Sequence, residues 1–390
     1  RGQKIYITFG EHDLTDNIIH LVLARTPGAP EGTRGISLFI VPKFHLDADG
    51  KVGAPNDVTC VSIEHKIGIH ASPTCVMAYG EHGECIGEMI GGEFGGMKAM
   101  FTMMNNARIN VGSQGVQIAE RATQQASRFA MERIQSARAG SGNKSPVAII
   151  EHPDVRRMLL RSKALTQAAR ALLYYASSSV DRATLGIEGA KSRAEILTPL
   201  IKGYGTDIGN EVASIGVQVH GGMGFVEETG AGQHFRDARI APIYEGTNGI
   251  QAADLVGRKL GLDGGDAMQQ FIAEIRAEAE DGSSLMALAQ ACEEIRQWMA
   301  SGDASIDDRL AGSYPFMTML ATATCGMLMQ KQHRIASAEL ADGDDAFLEA
   351  KLVTTRYYLD HLVPEALGLK AAAMGGADIL YRLDSAELAG

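Results

Sequence analysis

The sequence predicts an α+β chain that is mostly α, with a partial antiparallel β-domain, a four-helix bundle and an additional helical domain. Three observations lead to this prediction. Short β-rich runs and turns fill the first ninety residues, without a ten-residue helical pattern between them. From residue 93 the apolar spacing changes to a period of 3.6. A glycine-rich break at 261–266 then precedes further amphipathic helices. The expected domains are 1–90, 91–262 and 263–390.

Composition limits the classes of function. The 390 residues are enough for two or three domains, and a net charge of −11 without a basic run argues against a nucleic-acid surface. The most apolar segment, 316–329, is too short to cross a membrane and is expected to be a buried helix. The five scattered cysteines lack a Cys-x-x-Cys pair. We therefore expect free thiols in a reducing compartment, either a bacterial cytoplasm or a mitochondrial-type one.

The β-domain is expected to contain five strands. They are Lys4–Thr8, Ile18–Ala24, Gly35–Val41, Val58–Glu64 and Thr74–Tyr79. Turn residues at 27–32 and 47–50 separate some of these runs. The six histidines of this region form no compact ligand spacing with carboxylates, so no metal site is expected. Because the chain begins with Arg1 in what resembles the middle of a β-domain, we expect it to be the C-terminal part of a longer protein.

Long helices are expected at about 94–133, 151–183 and 191–219, with a fourth beginning at Thr247. Short connections favour antiparallel neighbours and therefore a bundle. Helices near 267–280, 284–300, 306–340 and 344–372 are expected to form the additional domain, in which no catalytic group of residues is evident.

The stretch Ile243 to Gln251 places one carboxylate, Glu245, in a loop before a helix. Gly246 permits close approach of a substrate to the backbone, and Thr247 can cap the helix. A glycine cluster at 218–225 lies upstream. Taken alone, such an acid is usually solvated surface, and a Gly-Gly-x-Gly run is more often a turn than a phosphate-binding loop.

Together these motifs resemble the C-terminal signature of the acyl-CoA dehydrogenases. The signature is Gln-x-x-Gly-Gly-x-Gly-Phe from Gln218, Arg-Asp-Ala-Arg-Ile from Arg236 and Ile-Tyr-Glu-Gly-Thr from Ile243, in that order and at that spacing. The segment Tyr6-Ile7-Thr8 looks like the family's Trp-Ile-Thr strand, with tyrosine in place of tryptophan. The helical extension is similar to that of a larger subfamily that includes the methylmercaptopropionyl-CoA dehydrogenases.

The resemblance implies FAD-dependent α,β-dehydrogenation of an acyl-CoA thioester. Glu245 would abstract the α-proton, and hydride would pass to flavin N5. Some relatives carry the base on the first bundle helix, but the corresponding residue here is Ala107. The implied cofactor-binding residues are Tyr6, Ile7, Thr8, Arg133, Gln218, Gly221, Gly222, Thr247 and Gly249. The implied substrate-binding residues are Asn105, Arg108, Tyr244 and Gly246.

The implied partners are the acyl-CoA substrate, an electron-transferring flavoprotein as electron acceptor, and further copies of the chain in a homodimer or dimer of dimers. Two alternatives remain open. One is an acyl-CoA oxidase that uses oxygen. The other is a flavoprotein of the alkylation-response type, which binds DNA and is not a desaturase; the acidic charge disfavours it.

Overall fold

The computed structural model describes residues 1–142, 144–341 and 343–390. The chain forms two compact units, residues 1–106 and 107–390. The first unit holds the strands and the start of the first long helix. The second unit holds the rest of that helix and the helices that follow it.

The first unit contains antiparallel strands, as predicted. They are β1 Gly2–Thr8, β2 Ile19–Ala24, β3 Ser37–Pro42, β4 Phe44–Leu46, β5 Val52–Pro55, β6 Val58–Ile63, β7 Thr74–Tyr79 and β8 Glu88–Ile90. The two three-stranded sheets have the orders β1-β7-β6 and β2-β3-β8, and β4 pairs with β5 around the predicted turn. A small core includes the buried residues Val41, Cys75 and Met77. The sequence prediction missed β4, β5 and β8, which are too short to show a clear alternation of apolar and polar residues.

The helices follow the predicted order. They are α1 Gly96–Glu132, α2 Pro153–Thr184, α3 Ala190–His220, α4 Ala231–Ala238, α5 Asn248–Gly257, α6 Asp266–Glu278, α7 Ser284–Ala300, α8 Ile306–Leu340, α9 Ala346–Tyr357, α10 Val363–Leu367, α11 Lys370–Ala373 and α12 Ser385–Ala389. The predicted single helix at 344–372 was wrong. A π-helical turn at Tyr358–Leu362 interrupts it just before Pro364, whose ring nitrogen cannot donate a backbone hydrogen bond. The short helices α4 and α12 were not predicted.

Helices α1 and α3 cross at a contact between glycines. A Cβ atom on Gly115 would lie 2.3 Å from the backbone oxygen of Gly205, and one on Gly209 would lie 2.8 Å from the oxygen of Gly115. Only residues without a side chain permit this approach. The crossing brings the middle of α3 close to the part of α1 around Gly115.

The additional helices share one hydrophobic core with the bundle. Leu172 on α2, Ile201 on α3 and Leu320 on α8 belong to the same buried cluster. The segment 316–329 is buried within α8, as predicted. In the described part of the chain, no helix is long and apolar enough to cross a membrane. Helix α8 is therefore fixed against α2 and α3 by apolar packing, which orients the polar side chains on its first turns.

Candidate active site

The loop before α5 holds Glu245 in an unusual backbone conformation. Glu245 has φ +57° and Gly246 has φ +82°, so two successive residues adopt the left-handed region. This region is unfavourable for a glutamate, which indicates that its surroundings stabilise the turn. The hydroxyl of Thr247 accepts a hydrogen bond from the backbone N–H of Ile250 at 3.2 Å and caps α5, as predicted. Glu245 is partly buried.

Tyr244 attaches the loop to α1. Its hydroxyl donates a hydrogen bond to Oε1 of Gln114. Burial raises the pKa of Tyr244 above its ordinary value, while the bond to Gln114 opposes that rise. The substrate-binding role of Tyr244 stays a prediction, and this contact gives the residue a structural role as well.

Gln251 lies under the turn with no exposed surface. Its Nε2 is 3.5 Å from the carbonyl oxygen of Glu245 and 3.4 Å from that of Gly246. Its Oε1 is buried and has no hydrogen-bond partner among the residues that the structure describes. An orphaned acceptor of this kind costs free energy unless water or a ligand satisfies it.

Arg108 on α1 is buried beside Asp254 on α5. Its Nη1 lies 3.8 Å from Oδ2 of Asp254, and its buried Nε finds no partner within the described ranges. Burial lowers the pKa of Arg108, while the charges of Asp254 and Glu245 raise it. Asn105, predicted with Arg108 to touch the substrate, is exposed on α1 in the first unit. The substrate contact of both residues stays a prediction, but the position of Arg108 points to an electrostatic role near Glu245.

Lys202 is a second buried cation near Glu245, and it was not predicted from the sequence. It has no exposed surface, and its Nζ donates a hydrogen bond to Oδ1 of Asn248 at 2.9 Å. Burial lowers the pKa of Lys202 to about 8, although the charges of Asp207 and Glu245 raise it. The signal in the sequence is that Lys202 directly follows the largely apolar run 196–201.

Asn248 connects Lys202 to two further polar residues. Its Nδ2 donates to Oδ1 of Asp207 at 2.8 Å. The hydroxyl of Tyr314 on α8 donates to Oδ2 of the same carboxylate at 2.6 Å. Burial raises the pKa of Asp207, while its bonds to Tyr314 and Asn248 oppose that rise. No catalytic group of residues is evident in the sequence of the additional helices, so Tyr314 was not predicted either.

The end of α3 offers open backbone and exposed donors that fit a diphosphate. Gly221 has φ +60°, and a Cβ atom on Gly221 or Gly222 would meet nothing within 4 Å. Gln218 and Arg133 are exposed, and the guanidinium of Arg133 contacts Gln135 at 3.2 Å through Nη2. Gly249 is exposed in the first turn of α5. Guanidinium and amide groups beside glycine backbone are groups that bind phosphate oxygens.

In the first unit, Tyr6 lies at an irregularity of β1. The pairing of β1 with β7 shifts register between Lys4 and Ile7, and Tyr6 has φ +58°. Its side chain is 69% exposed. Strand irregularities of this kind often redirect a side chain near a binding site. Thr8 is also exposed, whereas Ile7 is partly buried.

Comparison with known proteins identifies the family. Residues 95–260 match the family model described as "Acyl-CoA dehydrogenase, C-terminal domain", and residues 265–384 match the one described as "Acetyl-CoA dehydrogenase C-terminal like". The chain belongs to the acyl-CoA dehydrogenase family. Its additional helices place it with the members of the family that carry a C-terminal helical extension.

Named relatives cover nearly the whole chain. It is 48% identical over 384 residues to 3-methylmercaptopropionyl-CoA dehydrogenase of Ruegeria pomeroyi, covering 93% of this chain and 64% of the relative. It is 39% identical over 406 residues to a butyryl-CoA dehydrogenase of Syntrophomonas wolfei, covering 97% of this chain and 66% of the relative. The chain thus spans about two-thirds of the length of these relatives.

The fold agrees with a solved structure. An acyl-CoA dehydrogenase from Bacillus anthracis, crystallised with FAD, aligns with a TM-score of 0.75 and 19% sequence identity. The alignment covers 100% of this chain and 65% of the other. This similarity supports the mostly helical α+β fold class expected from the sequence.

Proposed function

We propose that this chain carries the catalytic base and part of the flavin site of an acyl-CoA dehydrogenase. The reaction is the α,β-dehydrogenation of an acyl-CoA thioester to the 2-enoyl-CoA. The observation that carries the proposal is the position of Glu245, in a left-handed turn within electrostatic range of the buried cations Arg108 and Lys202. The family membership and the named relatives support the same reaction class.

Glu245 takes the proton from the α-carbon in this proposal. The buried cations Arg108 and Lys202 place positive charge within electrostatic range of its carboxylate. The backbone N–H of Glu245 polarises the thioester carbonyl and stabilises the charge that develops on its oxygen. Gly246 keeps the chain close to the thioester because it has no Cβ atom.

FAD, when bound, accepts the hydride that leaves the β-carbon. Arg133, Gln218, Gly221 and Gly222 would hold its diphosphate region, and Thr247 and Gly249 would contribute from the start of α5. Tyr6, Ile7 and Thr8 would contact the flavin ring. The open backbone of Gly221 and Gly222 and the exposed side chain of Tyr6 support these assignments.

The variant Glu245→Gln tests the role of the base. The amide keeps the size of the side chain but accepts no proton at neutral pH, so turnover should fall by roughly 10³-fold with FAD retained. Glu188→Gln, which changes an exposed glutamate, is the matched control. Near-normal turnover of Glu245→Gln would exclude this residue as the base.

We also propose a homodimer or dimer of dimers. Beside the glycines that end α3, Met223, Phe225 and Val226 are exposed, and Phe225 is 92% exposed. Large apolar side chains in one short segment are typical of a surface that a protein partner covers. Sedimentation of the protein and of Phe225→Ser tests this, since a monomer in both cases would contradict the proposal.

The electron acceptor is proposed to be an electron-transferring flavoprotein. The competing hypothesis is an oxidase, which passes electrons to oxygen and releases hydrogen peroxide. Turnover with that flavoprotein and little peroxide supports the dehydrogenase. Stoichiometric peroxide without an added acceptor supports the oxidase.

A further inference from the structure

We propose that Tyr314, on helix α8 of the C-terminal extension, is a positioning residue for Glu245. It acts through a chain of hydrogen bonds from Tyr314 to Asp207 and from Asp207 to Asn248, the first residue of α5. The inference deepens the proposed function and rests on it, because it concerns the placement of the proposed base. It gives the additional helices a part in the active site through this chain of contacts.

Asn248 fixes the loop from its C-terminal side. Its backbone N–H donates to the carbonyl of Pro242 at 2.9 Å, which closes the loop 243–247 across its base. Its side-chain oxygen accepts from Lys202, and its Nδ2 lies within hydrogen-bond distance of Asp207 Oδ1 and of the Gly203 carbonyl, at 2.8 and 3.1 Å. Asn248 is only 3% exposed. A rotation of this side chain would therefore move the start of α5 and the turn that carries Glu245.

Asp207 is the charged acceptor that helps to orient the Asn248 amide, beside contacts with Lys202, Gly203 and Thr206. The carboxylate accepts from Asn248 through one oxygen and from Tyr314 through the other. The charges that face it belong to Lys202, in the preceding turn of α3, and to Arg239. Without the Tyr314 hydroxyl, one oxygen of a partly buried carboxylate loses its donor, and the carboxylate gains freedom to turn towards those cations.

Apolar packing holds this part of helix α8 against α3. Phe316 and Met317, which follow Tyr314, are fully buried in the shared core. The side chain of Met317 packs so closely on α3 that a Cβ atom on Gly203 would lie 2.5 Å from its Cε. Tyr314 is thereby fixed relative to α3 at the level of Lys202 and Asp207.

The left-handed turn at Glu245 makes the loop sensitive to this support. A non-glycine residue in that conformation is strained and persists only when its surroundings determine it. A loop released from Asn248 can relax to an ordinary conformation. The carboxylate then leaves the position from which it would reach the α-carbon, although the residue itself is unchanged.

The test compares Tyr314→Phe with the parent protein and with Tyr381→Phe, which removes a hydroxyl from an exposed tyrosine. We expect Tyr314→Phe to lower kcat roughly tenfold with KM changed less than about twofold. The amides of 243–251 should exchange with solvent at least about fivefold faster than in the parent. Tyr381→Phe should match the parent in both measurements.

A double-mutant cycle with Asp207→Asn checks the route. If the effect of Tyr314→Phe passes through Asp207, the double variant should lose about as much kcat as Asp207→Asn alone. If the double variant instead loses kcat by the product of the two single losses, the inference is overturned. It is also overturned if Tyr314→Phe has the kcat and the amide exchange of the control Tyr381→Phe.

Different results would overturn the proposed dehydrogenase function and the positioning role of Tyr314. A parent protein that dehydrogenates no acyl-CoA overturns the proposed function. In that case, faster exchange in Tyr314→Phe still supports the coupling between α8 and the loop, and unchanged exchange still overturns it.

Discussion

The side-chain ammonium of Lys202 lies 2.9 Å from the side-chain oxygen of Asn248, and neither residue is appreciably exposed. This contact joins the middle of α3 to the first residue of α5. It also places a buried charge within electrostatic range of Glu245. The candidate site is therefore a polar network in an otherwise apolar helical unit, and each member depends on its neighbours for hydrogen bonds.

The charge of Lys202 should make stability depend on pH. Its pKa is lowered from 10.5 to about 8 in the folded protein, so between these values the unfolded chain binds more protons than the folded one. The contribution of this group to the free energy of unfolding therefore rises with pH across that window and is smallest below it. The free energy of unfolding, measured with urea at about pH 8 and about pH 10, should increase between these pH values by more for the parent than for Lys202→Met. An equal increase in the free energy of unfolding of both proteins would contradict a lowered pKa of Lys202 in the folded protein.

The crossing of α1 and α3 should tolerate no side chain at Gly115. A Cβ atom there would lie 2.3 Å from the backbone oxygen of Gly205, which a flexible side chain cannot relieve. Gly115→Ala should reduce the free energy of unfolding by about 1–3 kcal/mol. Gly257→Ala is the control, because its Cβ atom would meet nothing within 4 Å. A Gly115→Ala protein as stable as the control would show that the helices separate at little cost.

The two glycines after α3 should respond differently to alanine. Gly221 has φ +60° and ψ −138°, a conformation that residues with a side chain rarely adopt, so Gly221→Ala should cost about 1–3 kcal/mol of stability through backbone strain. Gly222 does not have a positive φ, and its Cβ atom would point into open space. Gly222→Ala should keep the thermal stability of the parent but retain less FAD after gel filtration. Full flavin content in Gly222→Ala would argue against close approach of the cofactor at this residue.

The cysteines are free, as the sequence predicted, and should differ in reactivity. Cys292 and Cys325 are fully buried, and burial raises the pKa of Cys325 to about 12 and that of Cys292 still higher. Both should resist iodoacetamide in the folded protein, since the thiolate is the reactive form. Cys60 and Cys85 are only half-buried and should be alkylated first. Rapid labelling of Cys292 would indicate that the extension opens in solution.

Much of the fold was predictable from local patterns. The long helices carry apolar residues at a period of 3.6 over thirty or more positions, so α1, α2 and α3 were located to within a few residues. Strands β4, β5 and β8 contain three or four residues each and gave no usable pattern. The break at Tyr358–Leu362 was missed because the apolar spacing continues through it.

The candidate site was predictable only where a motif marked it. Glu245, Gly246 and Thr247 are adjacent in sequence and were identified from that segment. Lys202 and Tyr314 lie 43 residues before and 69 residues after Glu245, and only packing brings them to the same network. Long-range contacts between single polar residues leave no periodic signal in one sequence, so their roles required the structure.

Glu245 is proposed to remove a proton from the α-carbon of an acyl-CoA. The most direct measurement is an anaerobic titration of the FAD-loaded protein with acyl-CoAs of increasing chain length, following the flavin absorption band. We expect one chain class to bleach the band in the parent, whereas Glu245→Gln should bind the same ligand without bleaching. Bleaching of Glu245→Gln at the rate of the parent, or a flavin-containing parent that no acyl-CoA bleaches, would contradict it.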